Sequence, residues 1–155
     1  MDIYTLHTTY IKMADDLSLL SKCEYNKRGS LLVKNGSIIS TGVYGTPSQM
    51  INCDVFLEST KSGISDHQKF EEKWEIESEV NAIARCIVNN ISPLSSNLYS
   101  ALIPKEKTIK YIHLFGIRRI YYGYNMTMVM IRDETVRNIH DLCMQLNIDI
   151  EPVYT

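Results

Sequence analysis

A turn signal, Lys34-Asn35-Gly36, sits between two short runs rich in strand-forming residues, Ser30–Val33 and Ser37–Gly42. Asn and Gly both tolerate positive φ, so this pair closes a two-residue β-hairpin. Before it, residues from about Ile3 to Leu20 carry apolar side chains at helical spacing. After it, helix and strand patterns alternate: a helix from Glu77 to Val88, a strand over Asn97–Ile103, a helix over Lys105–Phe115 closed by Gly116, a strand over Arg118–Gly123, a helix over Asp133–Leu146 and a last strand over Ile148–Val153. Strands joined through helices predict parallel pairing, right-handed crossovers and helices on both faces of the sheet. The expected fold class is α/β, a three-layer α/β/α sandwich with five strands. The stretch from Thr46 to about Phe70 is polar and has no sustained period, which predicts an ordered loop region.

At 155 residues the chain is expected to form one domain, burying about 68–70% of the surface its unfolded form exposes. The formal net charge is −2 with both signs interspersed, so no basic stripe points to a nucleic acid. A free nucleotide or a protein partner fits this balance better. No apolar run reaches membrane-spanning length, and the amphipathic N-terminus lacks a basic region and a cleavage motif. A cytoplasmic location is expected, in which Cys23, Cys53, Cys86 and Cys143 stay reduced and serve metal binding or burial.

Two stretches carry the chemistry. Glu77-Ser78-Glu79 opens one helix, and Pro104-Lys105-Glu106-Lys107-Thr108 opens another. Zinc nucleotide deaminases use H-x-E and P-C-x-x-C at such helix starts, with one His and two Cys on the metal and the Glu shuttling protons. With Lys22-Cys23, Gly29 to Val33, Ile38 to Gly42, Gly45-Thr46-Pro47, Asn52-Cys53, Gly116 to Tyr122 and Asn147 to Ile150 in matching order, the chain resembles the deoxycytidylate deaminases of large bacteriophages over nearly its whole length. The resemblance implies a cytidine-deaminase-like mixed sheet of order 2-1-3-4-5, within a single domain over 1–155 carrying an insertion at about 46–74.

In that frame Glu79 holds the proton-shuttle position, while Glu77, Lys105 and Thr108 replace the His and the two Cys. A protonated Lys and a Thr hydroxyl are unsuited to zinc. The expectation is therefore a pseudoenzyme with no catalytic zinc, a vestigial Glu79, and Lys105 paired with Glu77 or Glu79. Such a chain would act as a binding, regulatory or structural subunit of a phage protein assembly, as a homo-oligomer or with another protein. Two alternatives stay open: a sensor that keeps a deoxynucleotide site, or an active dCMP deaminase with a rearranged metal centre. The resemblance also implies one structural zinc on Cys23, Cys53, His67 and Glu75, a closed set of two thiolates, one imidazole and one carboxylate. At Gly42-Val43-Tyr44-Gly45, Tyr44 takes the place of an Asn that contacts the nucleotide sugar, so Tyr44 and Gly45 mark the nucleotide pocket or its filling.

Overall fold

Side chains along β1 (Gly29–Lys34) alternate between two cores: Leu31 and Val33 enter one, Leu32 the other. The same alternation holds on β3 (Asn97–Ser100), with Tyr99 opposite Leu98, and on β4 (Arg119–Tyr124), with Tyr121 opposite Ile120 and Tyr122. A period of two with both faces apolar requires cover on both sides of the sheet. The computed structural model describes residues 1–60, 64–125 and 130–155, and in it α1 (Ile3–Ser18) covers the first face. Helices α4 (Ser78–Val88), α5 (Glu106–Leu114) and α6 (Asp133–Gln145) cover the second.

The strand order is β2-β1-β3-β4-β5, where β2 is Ser37–Val43 and β5 is Asp149–Tyr154. This is the expected α/β/α sandwich with its mixed sheet. The expectation of parallel pairing through helices holds for β3, β4 and β5 only. Strand β1 runs antiparallel to both neighbours, because the crossover through α4 leaves β2, passes over β1 and enters β3. Asn35 (φ 51°) and Gly36 (φ 75°) form the hairpin turn. Gly42 lets α4 approach β2: a Cβ there would lie 2.0 Å from the Ser78 carbonyl oxygen and 2.4 Å from the Ala82 nitrogen.

The segment expected as a loop is instead built around two helices, α2 (Cys53–Thr60) and α3 (Ile64–Trp74). Positions 61–63 of the insertion lie outside the described residues. Phe56 stacks on Phe70 with ring centroids 4.5 Å apart, and both pack with Cys23, Tyr44 and Cys53 in a third small core. The chain then returns through a β-bridge, Ile76 N donating to Gly45 O at 2.8 Å, which sets the start of α4 beside the end of β2. Among the described residues no helix is long and apolar enough to cross a membrane.

Candidate metal centre and adjoining cleft

Helix α3 presents His67, Glu71 and, one turn beyond, Glu75 at intervals of four, which places them along one side of the helix. His67 meets Cys23 from the segment after α1 and Cys53 from the first residue of α2. The donor atoms of Cys23, Cys53, His67 and Glu75 all lie within 4.8 Å of one another. His67 Nε2 is 3.3 Å from Cys23 Sγ and 3.5 Å from Glu75 Oε2, which is itself 3.5 Å from Cys23 Sγ. With bonds of about 2.0–2.3 Å, a tetrahedral zinc sets its donors roughly 3.3–3.8 Å apart, so the Cys23, His67 and Glu75 atoms already stand at the edges such an ion requires, with Cys53 Sγ within 4.8 Å of each. The sulfurs accept backbone N–H groups, Asn26 N on Cys23 Sγ at 3.2 Å and Glu24 N on Cys53 Sγ at 3.5 Å, which favour thiolate. Burial pushes both thiols up as free acids, so ion binding there would release protons. The other imidazole nitrogen, Nδ1, lies 4.0 Å from Glu71 Oε2, the side from which a carboxylate orients a metal-ligating His. The residues present fit zinc.

The former motif positions form a second cluster. Glu77 and Lys105 are the N-cap residues of α4 and α5, and neither side chain caps its helix. Lys105 Nζ instead bridges Glu71 and, at 3.0 Å, Glu77 Oε1, which Lys107 Nζ also approaches at 3.4 Å. Burial raises the Glu71 carboxyl, yet the Lys105 ammonium outweighs it and holds the group below the usual carboxylate range. Glu71 was not singled out in the sequence. The four-residue spacing from His67 was the available signal.

Glu79 is fully buried and stands apart from the four metal donors. Its Oε1 accepts from Ser100 Oγ at 2.5 Å, and Ser30 links Ser100 to Ser78 at 3.0 and 2.7 Å. Burial drives the Glu79 carboxyl upward against the opposing influence of Arg28 and Ser100. Tyr44 lies in the third core at 1% exposure, its ring 5.1 Å below Lys105 Nζ. Burial and then the carboxylates of Glu71, Glu75 and Glu77 keep its hydroxyl protonated. Gly45 is occupied by the bridge to Ile76, so neither residue lines the cleft described next.

Between the starts of α4 and α5 opens a cavity of about 270 Å³, lined by Glu75, Ile76, Glu77, Val80, Lys107, Thr108, Lys110 and Tyr111. Glu75 belongs to both sites. Its Oε2 faces the thiol and imidazole donors, while among the described residues its buried Oε1 has no hydrogen-bond partner.

An α/β/α sandwich of this strand order, with a Cys-Cys-His-Glu donor set beside two facing helix starts, defines a cytidine-deaminase-like protein. No family model matches the chain. It is 30% identical to the deoxycytidylate deaminase of Enterobacteria phage T2, across 74% of this chain and 78% of that protein, and 29% identical to the phage T4 enzyme, across 74% and 76%. The chain belongs to the deoxycytidylate deaminase family. The dCMP deaminase of cyanophage S-TIM5 in apo form superimposes with a TM-score of 0.74 at 25% identity, covering 98% of this chain and 99% of that one. The same enzyme in complex with dCMP and dUMP gives 0.73 at 27% identity, covering 98% of each.

These findings overturn two expectations, that the chain is not an enzyme and that it has no catalytic zinc. Both rested on the replacement of metal ligands at Glu77, Lys105 and Thr108. The relatives are deaminases, and this chain assembles two Cys, one His and a Glu elsewhere, the same inventory of side chains that zinc deaminases use.

Proposed function

We propose that this chain is a zinc-dependent deaminase of deoxycytidylate whose metal centre has moved from the two helix starts to Cys23, Cys53 and His67, with Glu75 beside them as the acid/base. In this reading the motif at Glu77, Lys105 and Thr108 no longer holds an ion, and the Lys105 ammonium supplies positive charge in its place. The observation that carries the proposal is the shielded set of four donors gathered within 4.8 Å of one another, one member of which also lines the cleft. Cys23, Cys53 and His67 would hold the ion. Bound zinc would act as a Lewis acid that lowers the pKa of water, the property that hydrolysis at a cytosine ring demands.

The remaining work falls to the chain's own groups. Glu75 has one oxygen toward the donors and one without a partner among the described residues, so it is the carboxylate placed to take a proton from water and return it to the departing amine. Glu71, held by Lys105, fixes the side of the His67 ring away from the donors. Tyr44 and the third core exclude water behind the site.

Conversion of dCMP to dUMP with release of ammonia tests the proposal. Turnover that needs zinc, and falls at least about a hundredfold in Glu75→Gln, is expected for a lost acid/base. No turnover by zinc-loaded protein, or equal turnover by Cys53→Ser, refutes it.

A further inference from the structure

We infer that Cys23 and Cys53 form a redox pair, which a hydroperoxide joins in an intramolecular disulfide when no metal holds the sulfurs. The bond follows from the placement of the two thiols, while its effect on activity rests on the metal proposed for them above. The four cysteines divide into two kinds. Cys86 and Cys143 sit on α4 and α6, inside the core that those helices cover. Cys23 and Cys53 instead share the third core, with Sγ atoms within 4.8 Å of each other.

A disulfide sulfur–sulfur bond is about 2.0 Å long, so closing it asks for at most about 2.8 Å of approach, shared between two side chains. Glu24 N donates to Cys53 Sγ at 3.5 Å, which sets that thiol against the amide that follows Cys23. Neither residue is locked inside a regular element. Cys23 lies in the segment between α1 and β1, and Cys53 is the first residue of α2, so the backbone at both can give the shift a disulfide needs.

An open cavity of about 660 Å³ adjoins the pair, lined by Glu24, Tyr25, Asp54 and Leu57. Two of these residues directly follow the cysteines in the chain. Tyr25 is 50% exposed and its ring centroid lies 4.5 Å from that of His67, so the imidazole is covered there by a ring at the surface. Displacement of that ring admits a small oxidant to the sulfurs behind it.

The chemistry balances with hydrogen peroxide as oxidant. One sulfur bonds to a peroxide oxygen as the O–O bond breaks, giving a sulfenic acid, and the hydroxide released takes up the thiol proton to become water. The second sulfur displaces the sulfenic hydroxyl, which leaves as water with the second thiol proton. Two thiols are oxidised by two electrons, and the peroxide is reduced to two waters. The product leaves only an imidazole and a carboxylate of the donor set, too few for zinc. It also ties α2 covalently to the segment after α1, so the third core stays closed without metal.

The test treats the metal-stripped, reduced chain with hydrogen peroxide, then counts free thiols and maps peptides by mass spectrometry. Two of the four thiols should be lost, with Cys23 and Cys53 in one cross-linked peptide, Cys86 and Cys143 still free, and full reversal by dithiothreitol. Oxidised protein should take up no zinc until it is reduced. In Cys53→Ser, a 1,3-diketone should trap sulfenic acid on Cys23. Retention of all four thiols, over-oxidation without a cross-link, a bond between chains or a pair that includes Cys86 or Cys143 overturns the inference. Zinc-loaded protein should lose these thiols at least about tenfold more slowly, because the metal occupies the sulfurs. Formation of the Cys23–Cys53 bond at the same rate with and without bound zinc would support the redox pair and sink the proposed metal centre.

Discussion

Replacing Lys105 by Met removes one ammonium from between two carboxylates while keeping the length of the side chain. Lys105 is 26% exposed, Glu71 16% and Glu77 8%, so the cluster is mostly shielded from water. Breaking a buried ion pair from one side costs on the order of 3–5 kcal/mol. Partial exposure, and Lys107 remaining 3.4 Å from Glu77, reduce this to about 2–3 kcal/mol. At about 2–4 °C per kcal/mol for a chain of this size, melting should fall by roughly 5–10 °C near neutral pH. The pH dependence follows from Glu71. Its folded pKa lies below the ordinary value, so the unfolded chain binds more protons across that window. The stability this contributes is present above the unfolded pKa and is lost as pH falls through the folded pKa. In Lys105→Met, burial of Glu71 is opposed only by the Tyr44 hydroxyl and the Lys107 ammonium, so the carboxylate is less well stabilised at neutral pH and its protonation brings relief. Thermal unfolding followed by circular dichroism should therefore show the gap between parent and variant narrowing from about pH 7.5 to about pH 4. A variant that melts with the parent, or a gap independent of pH, would refute the argument that Lys105 neutralises this cluster.

Strong chelation, or Cys53→Ser, should lower the melting temperature and increase amide exchange in α2 and α3 ahead of the sheet, since a metal that ties these helices to the segment after α1 contributes folding free energy; identical exchange with and without metal would count against it. Gly42→Ala should cost at least about 1–3 kcal/mol, because the added carbon meets backbone of α4 that cannot swing away, and chemical denaturation reads it directly. Ser100→Ala removes the donor on Glu79 Oε1 and should cost about 1–3 kcal/mol while pushing the Glu79 carboxyl further up; a neutral effect would mean that this buried serine chain is not holding the carboxylate.

The hairpin was readable because Asn35-Gly36 has a conformational requirement that few other pairs meet, and α4, α5 and α6 because their apolar spacing is regular. The insertion was misread because α2 and α3 bury only a narrow stripe, Phe56 and Phe70 against two thiols, too sparse to register as a helical period. The antiparallel β1–β3 pairing was hidden because a helical connection carries no information about how many strands it skips. In the site, ligand identities came from family resemblance, since Cys23, Cys53 and His67 lie on separate segments whose meeting depends on the whole fold. The inference of inactivity went wrong by equating the loss of ligands at Glu77, Lys105 and Thr108 with the loss of metal chemistry. The structure gathers a comparable donor set on a different set of elements. The partner role of Glu71 is invisible in the sequence, because it needs α3 brought against the start of α5, where Lys105 meets Glu71.

The central claim is that zinc sits on Cys23, Cys53 and His67 beside Glu75, and X-ray absorption at the zinc edge of purified protein tests it most directly. The account predicts about one zinc per chain, with two sulfurs near 2.3 Å and two lighter N/O donors near 2.0–2.1 Å, and loss of the metal in Cys53→Ser but not in Lys105→Met. A zinc shell without sulfur, or protein that binds no zinc at all, would contradict it.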